Sequence, residues 1–266
     1  MQIIKSLFKL VIFICPVFAT AQTTFLQQGD KAYQLLERLE IKAKTNAGLN
    51  FSNLKYFSRK LVMQDVQSVD SMNKTIAADK KNMGKLTAID EYNLQSFYMS
   101  NSEWYTGPQE SFASKKPVFN AFYKTKPNLY EVNIKDFFLV INPMIQVAYG
   151  KESNNSNNIF YNSRGLTIRG RIANKIGFST TLTDNQERGP AFFQDWINSH
   201  GAVPGVGFYK DFKNGAEDYF DARGYITFSA TKYVDIQFGH DKNFIGNGYR
   251  SFFLSDWGNS SIKIFW

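Results

Sequence analysis

The sequence contains one cysteine, two histidines and no apolar run after the first residues that could cross a bilayer as a helix, which needs roughly 20 residues. His200 and His240 fall in predicted loops, and no nucleophile elbow, paired-histidine zinc motif or phosphate loop is present. No spacing selects a pair of carboxylates for glycosidase chemistry. We therefore expect neither an enzyme nor a helical membrane protein, and we expect no metal and no cofactor.

The first residues have the pattern of a secretory signal peptide. Lys5 and Lys9 supply a positive region, 10–18 are apolar, and Ala19-Thr20-Ala21 is a typical cleavage site. The apolar run is too short to span a bilayer, and no small residues precede Cys15 as they would precede a lipidated cysteine. We predict a signal peptide at residues 1–21 and a mature chain without cysteine; the alternative is a buried N-terminal helix.

Aromatic residues make up 16% of the chain, with 25 Phe and 14 Tyr, whereas charged residues make up 20%. Aromatic girdles at a membrane boundary would account for this, and so would a Phe-rich soluble core. The formal net charge of +8 includes Lys5 and Lys9, so the mature side chains carry 8 − 2 = +6, which suits an acidic polymer or an anionic membrane surface. Basic runs with interleaved aromatics do not occur, so nucleic acid is not an expected partner.

Residues 22–115 show helical periodicity. Asp30 and Ser58 are candidate N-caps, and 87–90 resembles a capping box with Asp90 in place of Glu. The apolar positions that follow the three caps are Tyr33, Leu36 and Leu39; Val62, Val66, Val69 and Met72; and Leu94, Phe97 and Tyr98. We predict a small helical domain on the periplasmic side of the outer membrane, and we favour a supporting role for it over a chemical one.

From about Asp136 the hydrophobic period changes from helical to two. Six segments of alternating apolar residues begin at Phe137, Leu166, Ile176, Gly224, Val234 and Ile262. Each is close to the roughly ten residues that a tilted strand needs to cross a membrane. The pattern predicts antiparallel β-structure, either in a membrane barrel or in a soluble sandwich.

The predicted connections alternate in length. Tight turns are expected around Asn174-Lys175 and Thr231-Lys232, and long connections at 151–163, 184–221 and 240–260. Outer-membrane barrels have short periplasmic turns and long external loops, whereas a sandwich has less reason to sort its loops by length. The alternation therefore favours the barrel.

Six strands are fewer than the roughly eight of the smallest closed membrane barrels. Either a strand is hidden in 116–135 or the chain continues beyond Trp266. The pattern Ile262, Ile264, Trp266 resembles a terminal strand recognised by barrel-assembly machinery, which would make Trp266 the true end. The shortage of strands argues more strongly for a fragment. The predicted fold is mainly β: an antiparallel outer-membrane β-barrel at 116–266, incomplete in this chain, preceded by a small α-helical N-terminal domain at 22–115.

Two stretches, 135–143 and 239–256, carry a resemblance to known proteins. The second resembles the capsule-assembly Wzi family, and the RemB-like gliding-associated outer-membrane proteins of Bacteroidetes look more similar still. The second stretch has an aromatic residue, a Gly-x-Gly and a Leu/Ser ending. The residues concerned are Gly239, Phe244, Gly246, Gly248, Leu254 and Ser255. Phe244 stands where many members have Trp, Asn247 where Pro is common, and Leu254 and Ser255 are adjacent, so a divergent branch is indicated.

The resemblance implies an outer-membrane barrel with a periplasmic helical domain that binds surface or capsular polysaccharide without catalysis or cofactor. Outer-membrane lipid and the barrel-assembly machinery are then expected partners. Two alternatives remain: a gliding-motility component whose partner is another envelope protein, and a diffusion porin.

Two groups of residues are candidates for binding polysaccharide. Gly246 and Gly248 permit positive φ and would let a loop present Tyr249 and Arg250 to a sugar face and a sugar carboxylate. The alternative is a structural turn at the barrel rim. Arg169 and Arg171 share one strand face and would form a basic strip in the lumen.

An alternative role for the two lumen arginines is pairing with acids such as Asp235. In the long loop, Phe192, Phe193 and Trp196 form a sugar-stacking platform or simply pack that loop.

Overall fold

The computed structural model describes residues 23–27, 29–44, 48, 57–76, 85–153, 157–213, 215–231, 234–242, 244, 246, 248, 251 and 259–265. Within them, helices come first and one antiparallel sheet follows. The mainly β fold class with a helical N-terminal part is therefore confirmed.

Three helices form the first part: α1 (Lys31–Ala43), α2 (Arg59–Ile76) and α3 (Ala88–Ser100). Two 3₁₀ turns follow at Ser102–Trp104 and Glu110–Phe112. The expected caps are confirmed. Asp30 accepts from the Ala32 backbone N–H, Ser58 accepts from Leu61, and both hydrogen bonds of the capping box between Thr87 and Asp90 are present. These side chains satisfy N–H groups that a helix N-terminus leaves without partners.

The buried faces of these helices share one hydrophobic core. Its members include Leu26, Leu35, Leu36, Leu39, Val62, Met63, Val66, Val69, Leu94, Phe97, Tyr98 and Phe112. Met72, which we expected on the buried face of α2, is 50% exposed, whereas Val69, one turn earlier, is buried. We call residues 23–112 the helical domain.

Seven strands follow one another in the sheet, and a short eighth lies beside them. In order they are β1 (Tyr130–Ile134), β2 (Phe137–Lys151), β3 (Asn158–Ile172), β4 (Ile176–Arg188), β6 (Ala216–Thr231), β7 (Val234–Asp241) and β8 (Asn259–Phe265); β5 (Lys210–Phe212) pairs with β6 alone. All pairs are antiparallel. The order is a path with two ends, so the sheet is not closed within the described residues.

The strands are longer than their alternating segments, which corrects the predicted loop lengths. The connection expected at 151–163 occupies only 152–157, because β3 begins at 158 and its residues 158–163 pair in register with 146–151 of β2. The connection expected at 184–221 likewise begins after Arg188 and ends before Ala216, and it contains α4 (Ala191–His200) and β5. Backbone hydrogen bonds extend these strands where the apolar period has already ended.

Short and long connections nevertheless alternate along the sheet. The short ones are 135–136, 173–175 and 232–233, and the long ones are 152–157, 189–215 and 242–258. Ala173 and Asn174 adopt φ of 50° and 53°, the positive values of tight hairpin turns. β1 is a strand hidden in the segment 116–135, as one of our two explanations for the strand deficit required.

The two faces of the sheet have opposite polarity. The inner face carries buried polar side chains, Ser163, Asn185, Thr227 and Gln237, next to the buried apolar Phe138 and Val140. The outer face carries one exposed ion pair, Arg164 with Asp184, and many exposed apolar side chains: Ile145, Val147, Tyr149, Leu166, Ile172, Ile176, Ile226, Phe228 and Phe238. This is the reverse of the burial seen in a sheet of a water-soluble protein, where the apolar face is covered.

The helical domain packs on the inner face, at the end that carries the short turns. Phe138 and Val140 of β2 point inward and are buried there, which explains why β2 begins with five consecutive apolar residues. Thr227 donates to the Thr23 carbonyl at 3.0 Å, and the Phe25 backbone N–H donates to the Tyr225 hydroxyl at 3.0 Å.

Candidate functional site

A cavity of about 530 Å³ lies between the helical domain and the inner face of the sheet. Its rim includes the exposed side chains of Lys31, Gln34 and Ser96, so the cavity opens to solvent. Its floor is polar; Arg59, Asn101, Asn128 and Ser179 are buried there, and Arg169 is partly buried beside them. We call it the interface cavity.

Arg59 is the buried cation of the interface cavity. It begins α2, and its Nη1 donates to the Asn101 Oδ1 at 2.6 Å. Its Nη2 lies 3.7 Å from the Asp30 Oδ2, beyond hydrogen-bond distance, and its Nε has no partner among the described residues. Burial lowers the pKa of Arg59, and the nearby charge of Arg169 lowers it further. The site therefore holds a positive charge that its own carboxylate satisfies incompletely.

Arg169 and Arg171 do lie on the inner face, as their alternation predicted, but the helical domain covers them. Arg169 forms a buried ion pair with Glu103 and donates to the Ser100 carbonyl at 2.6 Å. The Arg171 guanidinium lies 4.7 Å from the centroid of the Trp104 ring. Both arginines thus join the sheet to the end of α3 and the 3₁₀ turn after it.

The acid paired with Arg169 is Glu103 from the helical domain, and not Asp235, which we had named as a candidate. Asp235 instead accepts a hydrogen bond from the Ser229 hydroxyl at 2.7 Å. Glu103, Trp104 and Arg59 were not singled out from the sequence. A Glu-Trp pair after a helix matches no known motif. These two residues contact Arg169 and Arg171 only because the helical domain packs on the sheet.

The loop motif of 239–256 is described in part. Gly246 has φ of +102°, which confirms the positive value expected there, whereas Gly248 is not among the described glycines with positive φ. Phe244 is buried. Tyr249, Arg250, Leu254 and Ser255 lie outside the described residues. Gly239 belongs to the inner-face row of β7 and lies against Tyr225 of β6.

The aromatic residues of connection 189–215 are divided between packing and exposure. Phe193 and Trp196 pack against a small buried cluster of Ile197, Val203 and Tyr219. The His200 ring stacks on Trp196 with centroids 4.1 Å apart. Phe192 is exposed on α4. Packing thus accounts for two of the three aromatics considered as a sugar platform.

Among the described residues, no group of three or more His, Cys, Asp or Glu side chains could hold a metal ion. No helix in the described part of the chain is both long and apolar enough to cross a membrane. Comparisons of the chain with protein-family models, with curated proteins and with solved structures found no match.

Proposed function

We propose that the protein resides in the outer membrane, with the outer face of its sheet in lipid and its helical domain filling the inner side. There it binds or tethers surface polysaccharide and catalyses no reaction. The observation that carries the membrane assignment is the reversed polarity of the two faces of the sheet.

The exposed fractions of the side chains support lipid as the medium around the outer face. Ile145, Val147 and Phe238 are 76%, 72% and 55% exposed, whereas inner-face Thr227 and Gln237 are 1% and 3% exposed. Burying a large apolar side chain is worth roughly 1.5–3 kcal/mol. If the outer face were in water, the protein would lose this free energy of burial at many positions. Monomeric soluble proteins rarely expose so large an apolar patch.

The direction of the strands sets a condition on closure. Six antiparallel steps separate β1 from β8, so the two edge strands run in the same direction. A closed barrel in which all neighbours are antiparallel needs an even number of strands. An odd number of further strands between β8 and β1 would therefore complete such a barrel.

Three observations support polysaccharide as the ligand: the resemblance of 239–256, the net positive charge, and a polar cavity with an incompletely paired arginine. A diffusion porin is the second candidate. The helical domain and its ion pair with Arg169 occupy the inner face, which favours a plugged protein over an open channel. No described contact favours the motility component over these two.

A pair of arginine substitutions tests the membrane assignment. In water, Phe238→Arg and Gln146→Arg would both be tolerated, because both side chains are exposed. In lipid, Phe238→Arg puts a charge on the outer face, which costs about 2–4 kcal/mol near the bilayer midplane, whereas Gln146 lies on the inner face.

We expect Phe238→Arg, and not Gln146→Arg, to lower the amount of folded protein in the outer-membrane fraction. Folding is measured from the difference in gel mobility between boiled and unboiled samples. Equal behaviour of the two variants, or recovery of the unaltered protein as a soluble periplasmic species, would contradict the assignment.

A further inference from the structure

We propose that the interface cavity binds a carboxylated sugar, which makes it the place where a short stretch of an acidic polysaccharide is held. This inference rests on the proposed function and adds to it the site and the charge of the ligand. It does not involve the loop residues Tyr249 and Arg250.

The charges that line the interface cavity leave one cation in excess. Its basic residues are Lys31, Arg38, Arg59 and Arg169, and Asp30 is the one acidic residue among its described lining residues. Arg169 is paired with Glu103, and Arg38 shares Asp90 with Lys42, which does not line the cavity. Lys31 and Arg59 therefore face a single carboxylate, so at least one positive charge of the cavity is left for an anion.

Arg59 has the donors that a carboxylate requires. Arg59 is nine-tenths buried. Its guanidinium group carries five N–H donors in a planar fork. One hydrogen bond to Asn101 and a contact of 3.7 Å to Asp30 leave much of this capacity unused. Arginine binds carboxylates through charge-assisted hydrogen bonds that are roughly twice as strong as neutral ones.

The remaining lining suits sugar hydroxyl groups. Gln34, Asn93 and Ser96 line it on the helical side, and Asn142 and Thr167 line it on the sheet. Amides and hydroxyls both donate and accept, as a sugar hydroxyl group does. The volume of about 530 Å³ lies within the range of roughly 300–1,000 Å³ typical of small-molecule sites, so the cavity is sized for a short oligosaccharide.

Calorimetric titration of the purified full chain in detergent tests the charge of the ligand. The probes are trigalacturonate, which is acidic, and maltotriose, which is neutral. A charge-assisted hydrogen bond is worth about one to two decades of affinity, so we expect trigalacturonate to bind at least about tenfold more tightly. Equal affinities, or no binding of trigalacturonate, would overturn the proposal.

Two tryptophan substitutions on α3 test the location of the site. Ser96 lies on the rim and is exposed, so Ser96→Trp should obstruct the interface cavity and abolish trigalacturonate binding. Gln95→Trp is the matched control, because Gln95 is also exposed on the same helix but is not among the residues that line the cavity. Unchanged binding by Ser96→Trp, or equal loss in both variants, would place the ligand elsewhere.

Arg59→Lys tests the role of the guanidinium while retaining the charge, and we expect about a tenfold loss of affinity with normal gel mobility. Wild-type affinity in a folded Arg59→Lys protein would remove Arg59 from the site. These assays are independent of location in the cell. A protein that binds trigalacturonate but fractionates as a soluble species would refute the membrane assignment and leave the interface cavity as a sugar site.

Discussion

At the scale of single residues, Gly239 permits a close approach of two strands on the inner face. A Cβ atom at this position would lie 2.5 Å from the Tyr225 Cα, which real side chains do not tolerate. Gly150, also in a strand, would place its Cβ 3.8 Å from the Ile159 Cβ, an ordinary contact. The glycine of the 239–256 motif thus has a packing reason in addition to any role in a loop.

We predict that Gly239→Ala destabilises the sheet by about 1–3 kcal/mol, because β6 and β7 must separate to admit a methyl group. Gly150→Ala, the matched control, should change stability by less than about 1 kcal/mol. Urea unfolding in lipid vesicles measures both. If Gly239→Ala and Gly150→Ala had equal urea midpoints, β7 could shift without loss of stability, and the close approach of β6 and β7 would not be needed.

At the scale of elements, the first turn of α3 contains a carboxylate, that of Asp90, which has several hydrogen-bond partners. Asp90 is fully buried; it accepts from the Thr87 backbone N–H at 2.7 Å and from Lys42 at 2.6 Å, and it pairs with Arg38. Burial alone would raise the pKa of Asp90, but these hydrogen bonds outweigh it and hold the pKa well below the ordinary value of 3.8. One residue therefore caps α3 and ties it to α1.

This depressed pKa makes the helical domain sensitive to acid. Because the folded pKa lies below the unfolded one, the stabilisation is complete above about pH 4 and is lost as pH falls through the folded value. We expect amide hydrogen exchange of 88–100, corrected for intrinsic rates, to accelerate as the pH falls below 4.

Asp90→Asn should remove most of this pH dependence and cost about 2 kcal/mol at neutral pH. Glu91→Gln, at the exposed neighbouring position, should leave the pH profile unchanged. A wild-type pH profile in Asp90→Asn would assign the acid sensitivity to other groups.

Elements also show where sequence patterns stop being informative. Helix starts were predictable, because Asp30, Ser58 and Thr87 satisfy N–H groups within three residues of themselves. The start of β3 was not, because its residues before the apolar segment pair with β2 through backbone atoms that every sequence shares. The hidden strand β1 is only five residues long and too short to show a period.

At the scale of the whole molecule, the buried pair of Arg169 and Glu103 connects the helical domain to the sheet. Its side chains are 12% and 3% exposed, whereas the pair of Arg164 and Asp184 on the outer face is 60% and 42% exposed. Breaking a buried pair on one side leaves an uncompensated charge and costs about 3–5 kcal/mol, whereas an exposed pair is worth roughly 0–1 kcal/mol.

We therefore predict that Arg169→Met loosens the helical domain, and that the double variant Arg169→Met, Glu103→Met restores most of its docking. Arg164→Met is the control for removing an arginine. The rate of proteolytic cleavage between 57 and 112 in the membrane-embedded chain measures docking. If Arg169→Met were no more susceptible than Arg164→Met, the pair would not hold the domain in place.

Local patterns in the sequence account for the order of helical and β parts, the helix caps and the alternation of apolar and polar residues along the strands. These properties depend on neighbours within a few residues, so a linear pattern contains them. Packing between distant segments accounts for the rest: the helical domain covers the inner face of the sheet, Arg169 meets Glu103, and Arg59 lines a cavity. Glu103 and Arg169 are 66 positions apart, and their contact exists only because packing of the helical domain on β2 brings them together and excludes water from both.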